Sequence, residues 1–216
     1  MENRKTPKLD KRQAVDTSLR LLNEVGLDGL TLRAIAKELN VQAPALYWHF
    51  KNKRELLDEM ATEMSRRMFT EGRLSEDAGW QERLLAANRG LRAALLRYRD
   101  GAKVFSGSRF TGTEHAVHME EDLRAFVRAG FTLPQAVRAT TTAYFFTLGF
   151  VTEEQGVEPL PGERREGFDI EERAARLADF PLAAAAGADL FQEYEEGFEE
   201  GLRLVVAGIT ARYGIS

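Results

Sequence analysis

The stretch from Thr31 to Arg54, TLRAIAKELNVQAPALYWHFKNKR, constrains the fold more than any other part of the chain. Apolar residues follow Thr31 with the i, i+3, i+4, i+7 spacing of a one-sided helix: Leu32, Ile35, Ala36 and Leu39. Thr31 is a favoured N-cap, and Asn40 tolerates the left-handed backbone that ends many helices. Pro44 suits the first turn of another helix, which we predict from Ala45 to Phe50. Two short helices separated by a tight turn are thus predicted.

This spacing is typical of a helix-turn-helix, in which the second helix enters the DNA major groove. Lys51, Lys53 and Arg54 follow directly and are placed to meet phosphates. The alternative is an ordinary helical hairpin inside a core. Four consecutive aromatic residues from Tyr47 to Phe50 argue against it, because a two-turn helix buried on one side cannot cover them all. We expect Leu46, Trp48 and Phe50 to form the core.

Several blocks of the chain resemble the tetracycline repressor (TetR) family. The N-terminal blocks are LLNEVGLDGLTLRAIAKEL, from Leu21 to Leu39, and LYWHFKNKRELLD, from Leu46 to Asp58. Two further blocks are ALLRYRDGAKV, from Ala94 to Val104, and FTLG, from Phe146 to Gly149. The resemblance implies an all-α homodimer that binds double-stranded operator DNA and responds to a small-molecule inducer.

Charge is distributed as a DNA-binding regulator requires. Residues 1–54 hold eleven Lys or Arg and six Asp or Glu, whereas the remainder holds nineteen and twenty-eight. A basic head with net charge +5 therefore precedes an acidic body with net charge −9, although the whole chain carries −4. The chain has no Cys, no apolar run of membrane-spanning length and no signal-peptide pattern, so we expect a cytoplasmic protein without membrane association. We find no paired nucleophile and base, so an enzyme is not expected.

Helical periodicity extends over the chain, and no segment alternates as a strand does. We predict a helix-turn-helix DNA-binding domain over residues 1–52, a connecting helix 4 over 53–71, and a helical ligand-binding and dimerisation domain over 72–216. Residues 1–8 are interpreted either as a fraying terminus or as an arm that reaches DNA.

Capping pairs define several helix starts. Asn52 with Glu55 opens the connecting helix, Thr132 with Gln135 opens a long helix, and Asp169 with Glu172 opens a third. Pro181 must break or kink that third helix. Asp189 with Gln192 is predicted to open the last helix, whose stripe includes Phe198 and Leu202. The resemblance implies that this helix and the one opened by Thr132 build an intersubunit four-helix bundle, so we expect Phe198 and Leu202 in or beside it. Three glycines on the last helix, at 197, 201 and 208, indicate either close helix approach or neutral drift on an exposed face.

The resemblance also implies which side chains meet DNA. Arg33 suits a guanine because its fork matches two acceptors. His49 has an alternative interpretation as an ordinary half-buried histidine. The alanines at 43 and 45 replace polar side chains of the family pattern, which alters the expected operator sequence. The predicted DNA-binding residues are Arg33, Gln42, Ala43, Pro44, Ala45, Tyr47, His49 and Lys53.

In the ligand half the sequence departs from the family's magnesium–tetracycline site. Phe105 stands where the resemblance implies a metal-binding histidine, and a hard cation gains no ligand from a phenyl ring. We therefore predict no metal and no cofactor. His115 and His118 suit an incidental metal site or, more simply, a solvated helix start. The predicted ligand-binding residues are Phe69, Asn88, Leu91, Phe105, Ser108, Arg109, Phe110, Asp122, Phe126, Phe146, Phe150 and Glu153.

These patterns predict a ligand-responsive transcriptional repressor that binds a palindromic operator as a homodimer. Its inducer is expected to be a small, aromatic, antibiotic-like molecule. The segment around Phe105 and Arg109 is expected to press on the C-terminal part of helix 4 and so to transmit ligand binding. Two alternatives stay open: a transcriptional activator, and a helical small-molecule-binding protein whose DNA-binding domain is degenerate.

Overall fold

The computed structural model describes residues 9–69, 74–75 and 77–215. All regular structure in these residues is helical, which confirms the predicted all-α fold. The helices are α1 (Lys11–Gly29), α2 (Leu32–Glu38), α3 (Ala43–Tyr47), α4 (Lys53–Phe69), α5 (Trp80–Leu96), α6 (Gly101–Phe105), α7 (Glu114–Arg128), α8 (Leu133–Val157), α9 (Ile170–Arg176), α10 (Pro181–Ala185), α11 (Gly187–Phe191) and α12 (Tyr194–Tyr213). The proposed N-terminal arm, residues 1–8, and the predicted end of helix 4 lie outside the described residues.

The α2–α3 turn forms as its residues dictate. The Thr31 hydroxyl accepts the Ala34 N–H at 3.1 Å, so the predicted N-cap is confirmed. Asn40 takes φ of 52°, and the Val41 N–H donates to the Ala36 carbonyl at 3.0 Å in a Schellman closure. Helix α3 begins two residues before the predicted start, because Pro44 occupies its first turn rather than preceding it.

The predicted caps of the longer helices are also present. The Asn52 side chain accepts the Glu55 N–H at 3.0 Å, and that glutamate accepts the Lys51 N–H at 2.8 Å. Thr132 and Gln135 form a reciprocal capping box at the start of α8. These side chains fix where the two helices that flank the predicted ligand site begin.

The segment between α8 and α12 differs from expectation. Asp169 caps α9 as predicted, accepting the Glu172 N–H at 2.8 Å, and Pro181 starts the separate helix α10. The prediction that Asp189 opens the last helix is wrong, because it lies inside α11 and the chain breaks again at Gln192. Helix α12 begins at Tyr194, one turn later.

One hydrophobic cluster joins the helix-turn-helix to the body of the molecule. It runs from Leu22 and Ile35 through Met60 and Met64 of α4 to Leu95 of α5, all of them buried. A second cluster centres on Trp80, Phe126 and Phe198 and holds α5, α7, α8 and α12 together. Helix α4 is therefore part of both the DNA-binding head and the wall of the body.

The last helix packs tightly on α8 within the same chain. A Cβ on Gly201 would lie 2.5 Å from the Phe146 ring, so close helix approach explains this glycine. Phe198 and Leu202 are buried in the same seam within the chain, so their side chains do not themselves form a subunit contact. The expectation that they lie beside one stays a prediction. A Cβ on Gly208 would meet no described atom within 4 Å, so that glycine faces open space. Across the described residues, no helix combines the length and apolarity that crossing a membrane requires.

Candidate DNA-binding surface and ligand cavity

The helix-turn-helix presents a concave surface that collects three of the predicted DNA-binding residues. Arg33, Tyr47 and Lys53 line it, together with Thr31, Leu32, Lys51 and Asn52. Arg33 and Tyr47 are exposed, and Gln42 and Pro44 are exposed at the start of α3. Ala43, Ala45 and His49 are half-buried on the same short helix and the turn after it. Cationic and aromatic groups therefore stand on one accessible face.

The aromatic run after α3 divides between core and surface. Leu46 and Phe50 are fully buried, as predicted. Trp48 is 90% exposed, so the expectation that it belongs to the core is wrong. Leu46 and Phe50 lie four residues apart on one side of the turn, and Trp48 between them points to the other side. Trp48 thus adds an exposed indole to the turn that follows α3.

Lys53 and Lys51 differ in how free their charges are. The Lys53 ammonium donates to the Leu27 carbonyl at 2.6 Å, which ties the start of α4 to the end of α1. The Lys51 side chain is 86% exposed, and its carboxylate partner Glu55 lies 3.8 Å away. The Lys51 ammonium is thus less engaged within the chain than that of Lys53, although the predicted DNA-binding residues include Lys53 and not Lys51.

A cavity of about 350 Å³ lies between α4, α5, α7 and α8. Seven of the predicted ligand-binding residues line it: Phe69, Asn88, Leu91, Phe105, Phe110, Asp122 and Phe126. Phe105 and Phe110 meet edge to face, with ring centroids 5.4 Å apart. Phe69 stacks on His118 at 3.9 Å. Aromatic rings therefore form much of the cavity wall, and their flat faces suit a planar ligand.

Hydrogen bonds to both polar atoms of its side-chain amide orient Asn88 at the cavity wall. Its amide nitrogen donates to the Leu84 carbonyl at 2.8 Å, and its oxygen accepts the Thr147 hydroxyl at 2.7 Å. One amide N–H is left for a guest, and its direction is fixed by those two bonds.

Five predicted ligand-binding residues do not line this cavity: Ser108, Arg109, Phe146, Phe150 and Glu153. The Ser108 hydroxyl donates to the Val104 carbonyl, and Arg109 is exposed, with its backbone N–H donated to Asp58 at 2.9 Å. Phe146 and Phe150 pack on Phe198 in the α8–α12 seam. Glu153 is exposed on α8. These residues were predicted only from their positions in the family motifs. A motif position does not show which side of a helix faces the cavity.

Sequence reasoning selects only half of the α7 face that lines the cavity. His115, His118, Asp122 and Phe126 follow the i, i+3, i+7, i+11 spacing of one side of α7, and all four line the cavity. The interpretation of the two histidines as a solvated helix start is therefore wrong. The helical spacing of the two histidines from Asp122 and Phe126, which are predicted ligand-binding residues, could have indicated that they face the same cavity. Tyr144 and Thr140 add polar groups from α8, and burial raises the pKa of the Tyr144 phenol.

The chain matches two sequence profiles that together span the described helices. Residues 14–60 match "Bacterial regulatory proteins, tetR family", and residues 74–213 match "Tetracyclin repressor-like, C-terminal domain". The chain belongs to the TetR family. It is 42% identical to the tetracycline repressor protein class A from transposon 1721 of Escherichia coli, over 95% of this chain and 92% of that protein.

Solved structures place this TetR-family chain among regulators of the same architecture. A possible TetR family transcriptional regulator from Streptomyces coelicolor A3(2) superposes with a TM-score of 0.81 at 36% identity, covering 94% of this chain and 99% of that one. A TetR variant from Acinetobacter baumannii AYE in complex with minocycline gives 0.71 at 33% identity, covering 97% and 100%.

In the cavity of this TetR-family chain, Phe105 stands at the position where the family pattern implies a metal-binding histidine. Neither its ring nor the neighbouring ring of Phe110 offers a lone pair to a cation. Among the described residues, no group of three or more His, Asp or Glu side chains is placed to hold a metal ion.

The loop between α6 and α7 connects this cavity to the DNA-binding head. Phe105 ends the helix that precedes it, and Phe110 lies in its middle. Its backbone bonds to α4: the Gly107 carbonyl accepts from Arg54, the Arg109 N–H donates to Asp58, and the Thr111 N–H donates to Thr62 at 3.0 Å. These bonds hold the N-terminal and middle turns of α4, rather than the C-terminal part on which the sequence predicts contact.

Proposed function

We propose that the protein is a ligand-responsive transcriptional repressor that acts in the cytoplasm as a homodimer on a palindromic operator. The observation that carries this proposal is the continuous connection from an aromatic cavity, through the α6–α7 loop, to the helix that bears the helix-turn-helix. Membership of the TetR family supports the same function. A small-molecule-binding protein with a degenerate DNA-binding domain would not need the cationic, accessible face around Arg33.

The dimer sets the form of the operator. Two helix-turn-helix units related by a two-fold axis read half-sites about one helical turn, roughly 34 Å, apart. We expect Arg33 to contact a base edge; Tyr47 lines the same concave surface, and Gln42 is exposed at the start of α3. We expect Lys51 to contact phosphate. The bond from Lys53 to Leu27 holds the start of α4, next to Lys51. The other predicted DNA-binding residues, on α3 and the turn after it, are Ala43, Pro44, Ala45 and His49.

Induction follows from the loop contacts. A ligand that packs between Phe105 and Phe110 and fits better when the loop has moved will pull α4 through Asp58 and Thr62. Tilting α4 displaces α3 from its half-site spacing. The ligand can shift the equilibrium between the DNA-binding state and the displaced state only by the difference between its binding free energies for these two states. Couplings of about 1–3 kcal/mol, or roughly 5–150-fold in DNA affinity, are typical.

The inducer that best fits this cavity is a planar, partly aromatic, antibiotic-like molecule. Its faces would contact Phe69, Phe105, Phe110 and Phe126, and Asn88 would supply one oriented donor. A mostly apolar cavity with few convergent polar groups is the general form of such a site. Release of operator DNA by such molecules should be the same with and without a magnesium chelator.

The test of DNA recognition is fluorescence anisotropy with the DNA upstream of the protein's own gene. Arg33→Ala should weaken binding by about 1–3 kcal/mol and relax preference at one base position. Lys51→Ala should weaken all sequences alike and reduce the salt slope by about one. Arg124→Ala removes an equally exposed cation from α7 and serves as the control. Operator affinity that survives Arg33→Ala unchanged would contradict the proposed orientation of α2 and α3. A reporter gene with the operator then separates repression from activation.

A further inference from the structure

A second cavity of about 410 Å³ adjoins the aromatic one and differs from it in charge. The two share the walls formed by Phe69, His118 and Asp122. The far side of the second cavity is formed by Arg83 and by small residues of α5, Ala86, Gly90 and Ala93. Because those residues leave the space open, a ligand in the aromatic cavity can extend a substituent toward Arg83.

The guanidinium of Arg83 is buried and incompletely paired. The residue is 6% exposed, so more than nine-tenths of it is removed from solvent. One terminal nitrogen donates to the Ser75 carbonyl at 2.9 Å, and the other is 3.4 Å from an Asp122 oxygen, at the outer limit of a hydrogen bond. Its Nε is buried and has no acceptor among the described residues. A permanently charged group left in this state is costly, and an oxygen anion would satisfy it.

The neighbouring acids compensate this charge poorly. Burial raises the pKa of Asp122 despite its contact with Arg83, which favours its neutral form relative to an ordinary aspartate. The Glu121 carboxylate is 43% exposed and lies 3.8 Å from the His118 ring, so solvent screens it. Of the charged side chains at this cavity, Arg83 is the most buried, at 7% exposed against 30% for Asp122 and 43% for Glu121.

We propose that Arg83 is a specificity-determining residue that binds an acidic oxygen, a carboxylate or an ionised phenol or enol, on an aromatic inducer whose rings occupy the adjoining cavity. This inference rests on the proposed inducer site and names the chemical class of its ligand. The planar guanidinium fork matches two oxygens of such a group, whereas a neutral ester presents no charge to it.

The test compares three probes of one shape by calorimetry on the DNA-free protein: anthraquinone-2-carboxylate, its methyl ester, and 2-(aminomethyl)anthraquinone. The carboxylate should bind at least about tenfold more tightly than the ester, which is the range of a charge-assisted hydrogen bond. Arg83→Gln should reduce this ratio to within about twofold. Arg89→Gln, which removes a cation from the same helix but outside both cavities, should retain it, since Arg89 pairs with Glu199. Circular dichroism checks that each variant is folded.

A second variant keeps the inference testable if Arg83→Gln fails to fold. Asp122→Asn removes the competing carboxylate without touching the guanidinium, so it should increase the preference for the acid by at least about threefold. Equal binding of acid and ester to the unaltered protein, no binding of any probe, or tightest binding of the cationic amine would overturn the inference. The last result would assign the cavity to Asp122 and Glu121. Operator binding is measured separately, so loss of the ligand inference leaves the DNA result intact.

Discussion

Arg92 lies buried between α5, α8 and α12, and two carboxylates hold its guanidinium. Both oxygens of Glu154 accept from it, at 2.9 Å and 2.7 Å, and Glu195 accepts from its third nitrogen. The Phe198 ring lies against its face, 5.1 Å from the guanidinium carbon. Removing Glu154 would leave the buried guanidinium with Glu195, whose side chain is 78% exposed, and loss of the buried partner of such a charge costs more than the pair contributes.

Glu154→Ala should therefore lower the free energy of unfolding by about 3–5 kcal/mol. Urea unfolding followed by circular dichroism measures this change. Glu153→Ala is the matched control, because the neighbouring residue is exposed and should leave the free energy of unfolding within about 0.5 kcal/mol. Equal stability of the two variants would show that the Arg92 pair contributes nothing that water cannot replace.

The adjacent acids also show where sequence reasoning about single residues fails. The motif match selects Glu153 as the functional acid, yet Glu154 is the one turned inward. The deciding partner, Arg92, lies 62 residues away, and no local pattern records that separation. By contrast, Arg33 and Tyr47 are correctly expected on one accessible face, because the short α2–α3 unit is fixed by local spacing.

Helix starts that depend on one capping side chain are predictable from sequence. Thr31, Asn52, Thr132 and Asp169 all accept backbone N–H groups as expected. The segment before α12 is not predictable in the same way, because Asp189 has the right sequence spacing but lies within another helix. Three short helices precede α12. Pro181 marks the start of one of them, whereas no proline or glycine lies at the break at Gln192. The cavity itself is only partly predictable, because four helices distant in sequence supply its walls.

The α6–α7 loop and α4 move together only if their backbone bonds hold. Asp58 is buried and accepts the Arg109 N–H, and its neighbouring turn presents Thr62 to Thr111. Asp58→Ala should remove the first of these bonds and loosen the loop. Amide exchange of residues 106–113, measured by mass spectrometry, should accelerate about tenfold or more.

Glu59→Ala provides the comparison for this element. Glu59 is the next residue on α4 and pairs with Lys11 of α1 at 2.5 Å, away from the loop. Its loss should leave exchange of residues 106–113 unchanged. Slow exchange persisting in Asp58→Ala would mean that the loop is held by the Phe105 and Phe110 packing alone, and that α4 is not driven through Asp58.

The head and the adjoining part of the body share one buried cluster, so we expect them to unfold together. Leu46 and Phe50 of the head share a buried cluster with Leu95, Val104 and other residues of the body. Contacts at the end of α1 add to this: the Leu27 N–H donates to Asp100 at 3.0 Å, and the Arg99 N–H donates to Asn23 at 2.9 Å. A change in the body therefore reaches the DNA-binding surface through packed side chains and hydrogen bonds.

The outer faces of α8 and α12 present apolar side chains to solvent in a single chain. Phe145 is 63% exposed and Leu204 is 64% exposed, and Gly149 and Gly208 on the same two helices face open space. Glycines beside large apolar residues allow another pair of helices to approach closely. We infer that these outward positions, rather than the buried Phe198 and Leu202, form the contact between protomers.

Leu204→Glu should consequently dissociate the dimer. In a symmetric contact each substitution is present twice, so two carboxylates would be buried against an apolar surface without partners. Light scattering should give a mass near 24.3 kDa for the variant and about twice that for the unaltered protein. Val127→Glu places the same charge on an exposed position of α7 and should leave the dimer intact. A dimeric Leu204→Glu protein would move the contact away from α12. A monomeric one should also lose operator affinity, because a single helix-turn-helix contacts only one half-site.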